Sequence, residues 1–424
     1  AQCNLGWCYE AGKGVAEDKA QAVEWYRKSA EQSHPRAMCN LGFCYSVGSG
    51  VEQDAAQAVE AAAEAFTQFN AMTLEKRREL IEVIRQTARD NDRYLSELAH
   101  NETGYGHVED KIIKNLLAAN KTPGTEDITP EAYTGDKGFT LVEHAPFGVI
   151  ASIVPSTNPT ATVINNAISM ISAGNTVVFS PHPAAKRSSQ EAIRVLHEAL
   201  VAHGAPSGII TTPAEPSLEN SQAVMKHPKV RLLSVTGGEA IVKVAMNSGK
   251  KAVCAGPGNP PVIVDETAEL DKAGKRTVDG ASYENNILCV AEKEVFCVST
   301  VFDRFLSELE RNGAFQIRGG DIDKVLRTVL VENNGRYTPS RKFVGRDASY
   351  ILDQCGISYT GTEMTFDEAV RAAIELEGKR FSPLLTARLR DGAAERIRRV
   401  FDRRRRDAYR RMYDDARQSL SSSE

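Results

Sequence analysis

Apolar residues recur along this chain with two successive rhythms. Over 61–101 they fall three and four apart, and Leu80, Ile81, Ile84, Ala88, Leu95 and Leu98 form one stripe, which predicts helix. A turn-rich stretch at 122–140 reads as a connector. Short apolar runs follow: FGVIASIVP, NTVVFSP, GIITTP, the run at 230–235 and PPVIVD predict strands. Between them, 160–172, 184–203 and 239–247 predict helices. Strands alternating with helices predict an α/β body with a parallel sheet covered on both faces. Such sheets hold ligands at the carboxyl ends of their strands.

The first 60 residues obey a different rule. A shift of 36 lays 1–24 on 37–60 with 16 of 24 positions identical, AQCNLGWCYEAGKGVAEDKAQAVE over AMCNLGFCYSVGSGVEQDAAQAVE. A fixed period of this size predicts stacked helix–turn–helix units. Leu5, Cys8 and Tyr9 share a face of the first helix, Gly12 and Gly14 mark the turn, and Ala22, Trp25 and Tyr26 pack from the second. LGWCYEAGKGV and LGFCYSVGSGV resemble Sel1-like repeats, an all-α relative of the TPR. That resemblance implies a protein partner for the repeats. Cys3 and Cys8, like Cys39 and Cys44, lie five apart on different sides of a helix. They read as packing thiols, and no metal site is expected.

Composition narrows the remaining classes. With 42% hydrophobic and 25% charged residues, wholesale disorder is excluded. The 52 basic and 56 acidic residues leave a net charge of -4, so no nucleic-acid partner is expected. That balance conceals Arg396, Arg398, Arg399, Arg403, Arg404, Arg405, Arg406, Arg410 and Arg411. The cluster reads as a solvated face, the alternative being a basic arm for RNA, anionic lipid or an acidic partner. Eight cysteines in 424 residues suit a reduced, cytoplasmic compartment. No run of 18 apolar residues occurs, so neither a membrane span nor a leader is expected. The chain opens at Ala1 already inside a repeat, the start expected of a fragment.

Four segments in order carry the chemistry: PSTNPTAT at 155–162, VTGGEA at 235–240, CAGPGNPP at 254–261 and YENNILCVAEKE at 283–294. Together with EHAPFGVIASIVPSTNP and AGNTVVFSPHP they resemble the aldehyde dehydrogenase family. The likeness is greatest to its CoA-acylating branch, which includes propionaldehyde and acetaldehyde dehydrogenases of bacterial microcompartments. The resemblance implies a Rossmann-type parallel sheet, a short-chain aldehyde substrate, NAD or NADP as hydride acceptor and coenzyme A as co-substrate. Oxidising an aldehyde through a covalent adduct needs a thiolate, and Cys289 occupies the family's nucleophile position. Without the motif around it, Cys289 would read as a buried apolar cysteine like Cys297. Asn158 matches the family's oxyanion donor, where its local reading is a turn residue before Pro159. Thr236, Gly237 and Gly238 form a strand–turn–helix start able to take a pyrophosphate, and in the family they line the dinucleotide groove with Ser180 and His182.

An absence discriminates within the family. Hydrolytic members hold a water-activating glutamate in the segment aligned with CAGPGNPP, yet 251–264 contains no carboxylate. A thioester that water attacks slowly suits transfer to a thiol such as CoA. Glu284 is a conceivable substitute base, with a surface role the alternative. After GRDASYILDQCGISY the family's E-E-x-M-x-P segment, His-containing stretch and Gly-rich segment do not appear, nor does the strand that joins subunits in this oligomeric family. The expected organisation is 1–62 repeats, 63–287 dinucleotide-binding domain, 288–390 partial catalytic domain and 391–424 arginine-rich tail. Two rivals stand beside an acylating enzyme: a catalytically impaired scaffold, and a hydrolytic dehydrogenase.

Overall fold

The computed structural model describes residues 2–30, 40, 55–258, 260–333, 336–359 and 386–389. The arginine cluster, Cys39, Cys44 and most of the second repeat lie outside them. The chain divides into two compact units, 1–257 and 258–424. This division falls earlier than the expected junction at 287/288.

The first unit begins with the repeat. Helices α1 (Gln2–Ala11) and α2 (Lys19–Ala30) form a hairpin through Gly12 and Gly14, both at positive φ. Cys3, Ala22, Val23 and Tyr26 make its core, with Tyr9 packed against it. A Cβ on Gly6 would meet the Tyr26 ring at 2.7 Å, so the small residue admits the aromatic one. The buried face of α1 thus centres on Cys3 and Gly6, with Leu5 and Cys8 only partly covered.

Next comes α3 (Ala55–Phe69), which runs unbroken through 62/63. Its Ala55, Ala58, Val59 and Ala62 pack on the sheet, so the same helix closes the second repeat copy and covers the α/β body. Thr73 caps α4 (Leu74–Asp90) by accepting from the Lys76 N–H. Helices α5 (Asp92–Thr103) and α6 (Val108–Lys121) follow. Arg85 of α4 donates to the carbonyls of Ala119 (2.6 Å) and Thr122 (2.8 Å), placing its charge on the electronegative end of α6.

The stretch expected as a connector is in part a hairpin, β1 (Glu131–Gly135) and β2 (Gly138–Val142), paired antiparallel. Both strands are exposed throughout, so no buried face imposed the alternation by which strands are read.

The sheet is parallel, in the order β5-β4-β3-β6-β7. Its strands are β3 (Val149–Val154), β4 (Thr176–Pro181), β5 (Ile210–Thr211), β6 (Val230–Thr236) and β7 (Lys251–Ala255). Helices α7 (Pro159–Ser172), α8 (Lys186–Ala202), α9 (Leu218–Lys226) and α10 (Glu239–Met246) complete the layers. Ile150 and Val154 of β3, with Val177 and Phe179 of β4, join the cluster built on α4, α7 and α8. Val149, Ala151, Ile153 and Val178 join the opposite cluster with α3, α9 and α10. This two-sided burial is why the strands read as continuous apolar runs. Strand β7 and helices α6 and α9 add to the elements expected from the sequence.

In the second unit β8 (Pro261–Val264), β9 (Glu294–Val298) and β12 (Thr386–Leu389) form a parallel sheet ordered β12-β9-β8. PPVIVD is thus a strand, but of this smaller sheet. Helices α11 (Leu270–Ser282) and α12 (Phe302–Arg311) bury Val278, Phe305 and Leu309 with Val295 and Cys297. A separate cluster joins α13 (Gly320–Val329) and α14 (Ala348–Cys355), and β10 (Leu330–Asn333) pairs with β11 (Arg336–Pro339).

Candidate active site

The chain visits β3 first, then passes outward to β4 and β5 on one side and to β6 and β7 on the other. The reversal falls between β3 and β6, where open parallel sheets open a crevice beyond their strand ends. Asn158 follows β3 there, and Thr236, Gly237 and Gly238 end β6.

Asn158 is the N-cap residue of α7, before Pro159 at the first helical position, but its side chain makes no cap bond. Its Oδ1 accepts from Lys114 Nζ at 2.8 Å, and its Nδ2 donates to Thr157 Oγ1 at 3.2 Å. One residue on in α6, Asn115 is fully buried; it accepts from Thr160 Oγ1 at 2.9 Å and donates to Ser96 Oγ at 3.1 Å. Adjacent residues of α6 therefore hold both sides of the turn. Nothing local in VEDKIIKNLLAANK distinguishes a bracing lysine or asparagine from a solvated one.

At the β6 end the Gly237 N–H donates to Ala255 O at 3.1 Å, closing the turn against β7. A Cβ on Gly237 would meet Ile241 Cγ2 at 2.7 Å, whereas one on Gly238 would meet nothing within 4 Å. Gly238 is the N-cap of α10, with extended backbone and no side chain to cap the first-turn N–H groups, which have no intrahelical acceptor. That suits a pyrophosphate. Ser180 is buried at the end of β4, its hydroxyl 2.7 Å from that of Ser221. His182, just beyond, is exposed and accepts from the Ala184 N–H at 3.1 Å.

In the second unit Cys289 lies half-buried in a turn after three consecutive left-handed residues, Glu284 (φ 52°), Asn285 (51°) and Asn286 (54°). None is glycine, and such a run costs on the order of 1–2 kcal/mol per residue. Side chains hold it. Asn285 donates to Gly345 O (3.1 Å) and Asp347 Oδ1 (2.8 Å); Asn286 donates to Ala281 O (2.7 Å) and Glu292 O (2.9 Å). Lys293 Nζ donates to the carbonyls of Leu288 (2.7 Å) and Ala291 (3.1 Å), flanking Cys289. A Cβ on Gly258 would overlap the Cys289 carbonyl oxygen, so this glycine admits the turn. Glu284 is fully buried, which overturns the surface alternative. Cys297 sits in the core of β9, where burial pushes its thiol up to about 11.

Residues 37–324 match the aldehyde dehydrogenase family model, and residues 1–34 match the Sel1 repeat. The acetylating acetaldehyde dehydrogenase of Bilophila wadsworthia (strain 3_1_6) is 47% identical over 302 residues, 70% of this chain and 62% of that one. The chain thus spans less than two thirds of that relative's length. The crystal structure of Rhodopseudomonas palustris propionaldehyde dehydrogenase with bound propionyl-CoA superposes with a TM-score of 0.70 at 45% identity, covering 74% of this chain and 69% of that one. An engineered glycolyl-CoA reductase with bound NADP+ does so with a TM-score of 0.70 at 44% identity, covering 74% and 71%. With its sheet order, its motifs and a family match over most of its length in agreement, the chain belongs to the aldehyde dehydrogenase family.

Proposed function

We propose that this chain converts a short-chain aldehyde to acyl-CoA with NAD(P), using Cys289 as nucleophile. The observation that carries the reading is the placement of Asn158 and of the Gly237–Gly238 helix start at neighbouring ends of β3 and β6. Similarity to acetylating and propionyl-CoA-binding relatives supports the acylating outcome.

The Cys289 thiolate attacks the aldehyde carbon, and the carbonyl oxygen becomes an oxyanion; the Asn158 amide, at the family's oxyanion position, is the neutral donor assigned to it. The Gly237–Gly238 turn and the first N–H groups of α10 hold the dinucleotide, with His182 at the next strand end. When bound, NAD(P) supplies the hydride acceptor that leaves a thioester on Cys289. The CoA thiol then attacks the thioester carbon, and Cys289 departs as thiolate. The carboxylate-free stretch 251–264 offers no base to direct water at that carbon. The repeat at the amino end serves a protein partner.

Reduced dinucleotide formed from propanal, with and without CoA, tests the reading in the wild type and in Cys289→Ala. CoA-dependent turnover that the substitution abolishes is expected. Turnover without CoA would identify a hydrolytic enzyme. No turnover and no dinucleotide binding would leave the scaffold reading.

A further inference from the structure

An amide can serve as an oxyanion donor only if its NH2 end faces the substrate, and nothing in an asparagine alone fixes which end that is. In this fold a cation decides. The Lys114 ammonium has three donors and no acceptor, and it lies 2.8 Å from one end of the Asn158 amide and 3.5 Å from the Thr157 carbonyl. The end facing Lys114 must therefore be Oδ1, and Nδ2 must point away. Thr157 Oγ1 accepts one of its N–H bonds at 3.2 Å, which leaves the second for a substrate oxygen.

The placement is rigid. Lys114 and Asn158 are both half-buried, and α6 is tied to the same turn by the buried Asn115–Thr160 bond at 2.9 Å. Arg85 holds the far end of α6 through two carbonyls. A cation bonded to Oδ1 also draws charge from the amide nitrogen and strengthens its N–H as a donor.

We propose that Lys114 is a positioning residue for the reaction. It holds the Asn158 amide with its oxygen inward and polarises the N–H that meets the developing oxyanion. This rests on the assignment of Asn158 made above. Because the bond to the oxyanion strengthens as charge develops, losing Lys114 should lower kcat and leave KM nearly unchanged.

The test is steady-state turnover of propanal with CoA and NAD by the wild type, Lys114→Met, Lys114→Arg, Asn158→Ala and the double variant Lys114→Met/Asn158→Ala. Thermal melting checks each fold. Lys114→Met should lose about 10- to 100-fold in kcat with KM for propanal within about threefold of wild type. Lys114→Arg, also donor-only, should recover most of that loss. The double variant should be no slower than Asn158→Ala alone, because Lys114 acts through the amide. If Lys114→Met does not fold, Lys114→Leu, also without a donor, carries the same comparison. A Lys114→Met enzyme within twofold of wild type, or losses that multiply in the double variant, would overturn the proposal while the reaction stands. A wild type without turnover would remove the reaction and the proposal together.

Discussion

Along β3 every residue from Val149 to Val154 is buried, and alternate side chains enter two different apolar clusters. Between Glu284 and Asn286 the chain is equally buried, but it runs left-handed and is held by amide groups bonded to carbonyl and carboxylate oxygens. The strand lies in a favourable backbone basin and gains from every methyl group it buries. The turn lies in an unfavourable basin and persists because its surroundings determine it more strongly than its own torsions resist. Stability is made in the first kind of place, and Cys289 is presented by the second.

The widest separation between them should come from Phe179→Ala, which empties a fully buried site on β4. Its cost is expected at about 3–5 kcal/mol, read as a lower urea midpoint. Loss of activity in proportion to the unfolded fraction would agree; an unchanged midpoint would show that the sheet core is not where stability resides. Gly258→Ala probes the turn instead. Its methyl group would displace the Cys289 carbonyl, so turnover should fall by roughly 100-fold with the enzyme still folded. Wild-type turnover in that variant would show that Cys289 tolerates displacement.

A smaller effect concerns His197 on α8, whose burial lowers its imidazole to about 4 against about 6.5 in the unfolded chain. Between those values the unfolded chain takes up a proton that the folded one refuses. Stability should therefore fall as pH drops from about 6.5 toward 4, by at most about 1.4 kcal/mol per pH unit, and be unaffected above that window. Urea titrations at several pH values should show a shallower slope for His197→Gln; equal slopes would remove His197 from the account. The smallest expected difference isolates backbone strain. Asn285→Ala and Asn285→Gly both remove the amide, but glycine accepts a left-handed φ, so the glycine variant should be the more stable by about 1 kcal/mol. Equal midpoints would mean that the turn relaxes once the amide is gone.

The same contrast explains what could be read in advance. β3 and β4 were legible because burial on both faces demands mostly apolar runs. The hairpin of β1 and β2 carries Tyr133, Phe139 and Leu141 exposed, so its sequence obeys no burial pattern and reads as a connector. Cys289, Asn158 and the Gly237–Gly238 turn were legible through the motifs that surround them. Lys114 was not, because a lysine 44 residues from Asn158 gains its meaning only when α6 packs against α7. In the left-handed turn, Asn285 and Asn286 were a faint signal, since asparagine tolerates that basin better than most residues. Glu284 gave none.

Helix α3 has a consequence for where this chain can be cut. Thr176 and Thr211, buried on β4 and β5, spend their hydroxyls on the carbonyls of Ala62 and Ala58. Gly208, at φ 93°, lets the loop before β5 approach the Ala61 carbonyl, which a Cβ there would meet at 2.8 Å. A chain begun at residue 63 would strand two buried hydroxyls and uncover the sheet. The helix whose first residues end the repeat's second period in the sequence is thus part of the sheet's own cover rather than a linker.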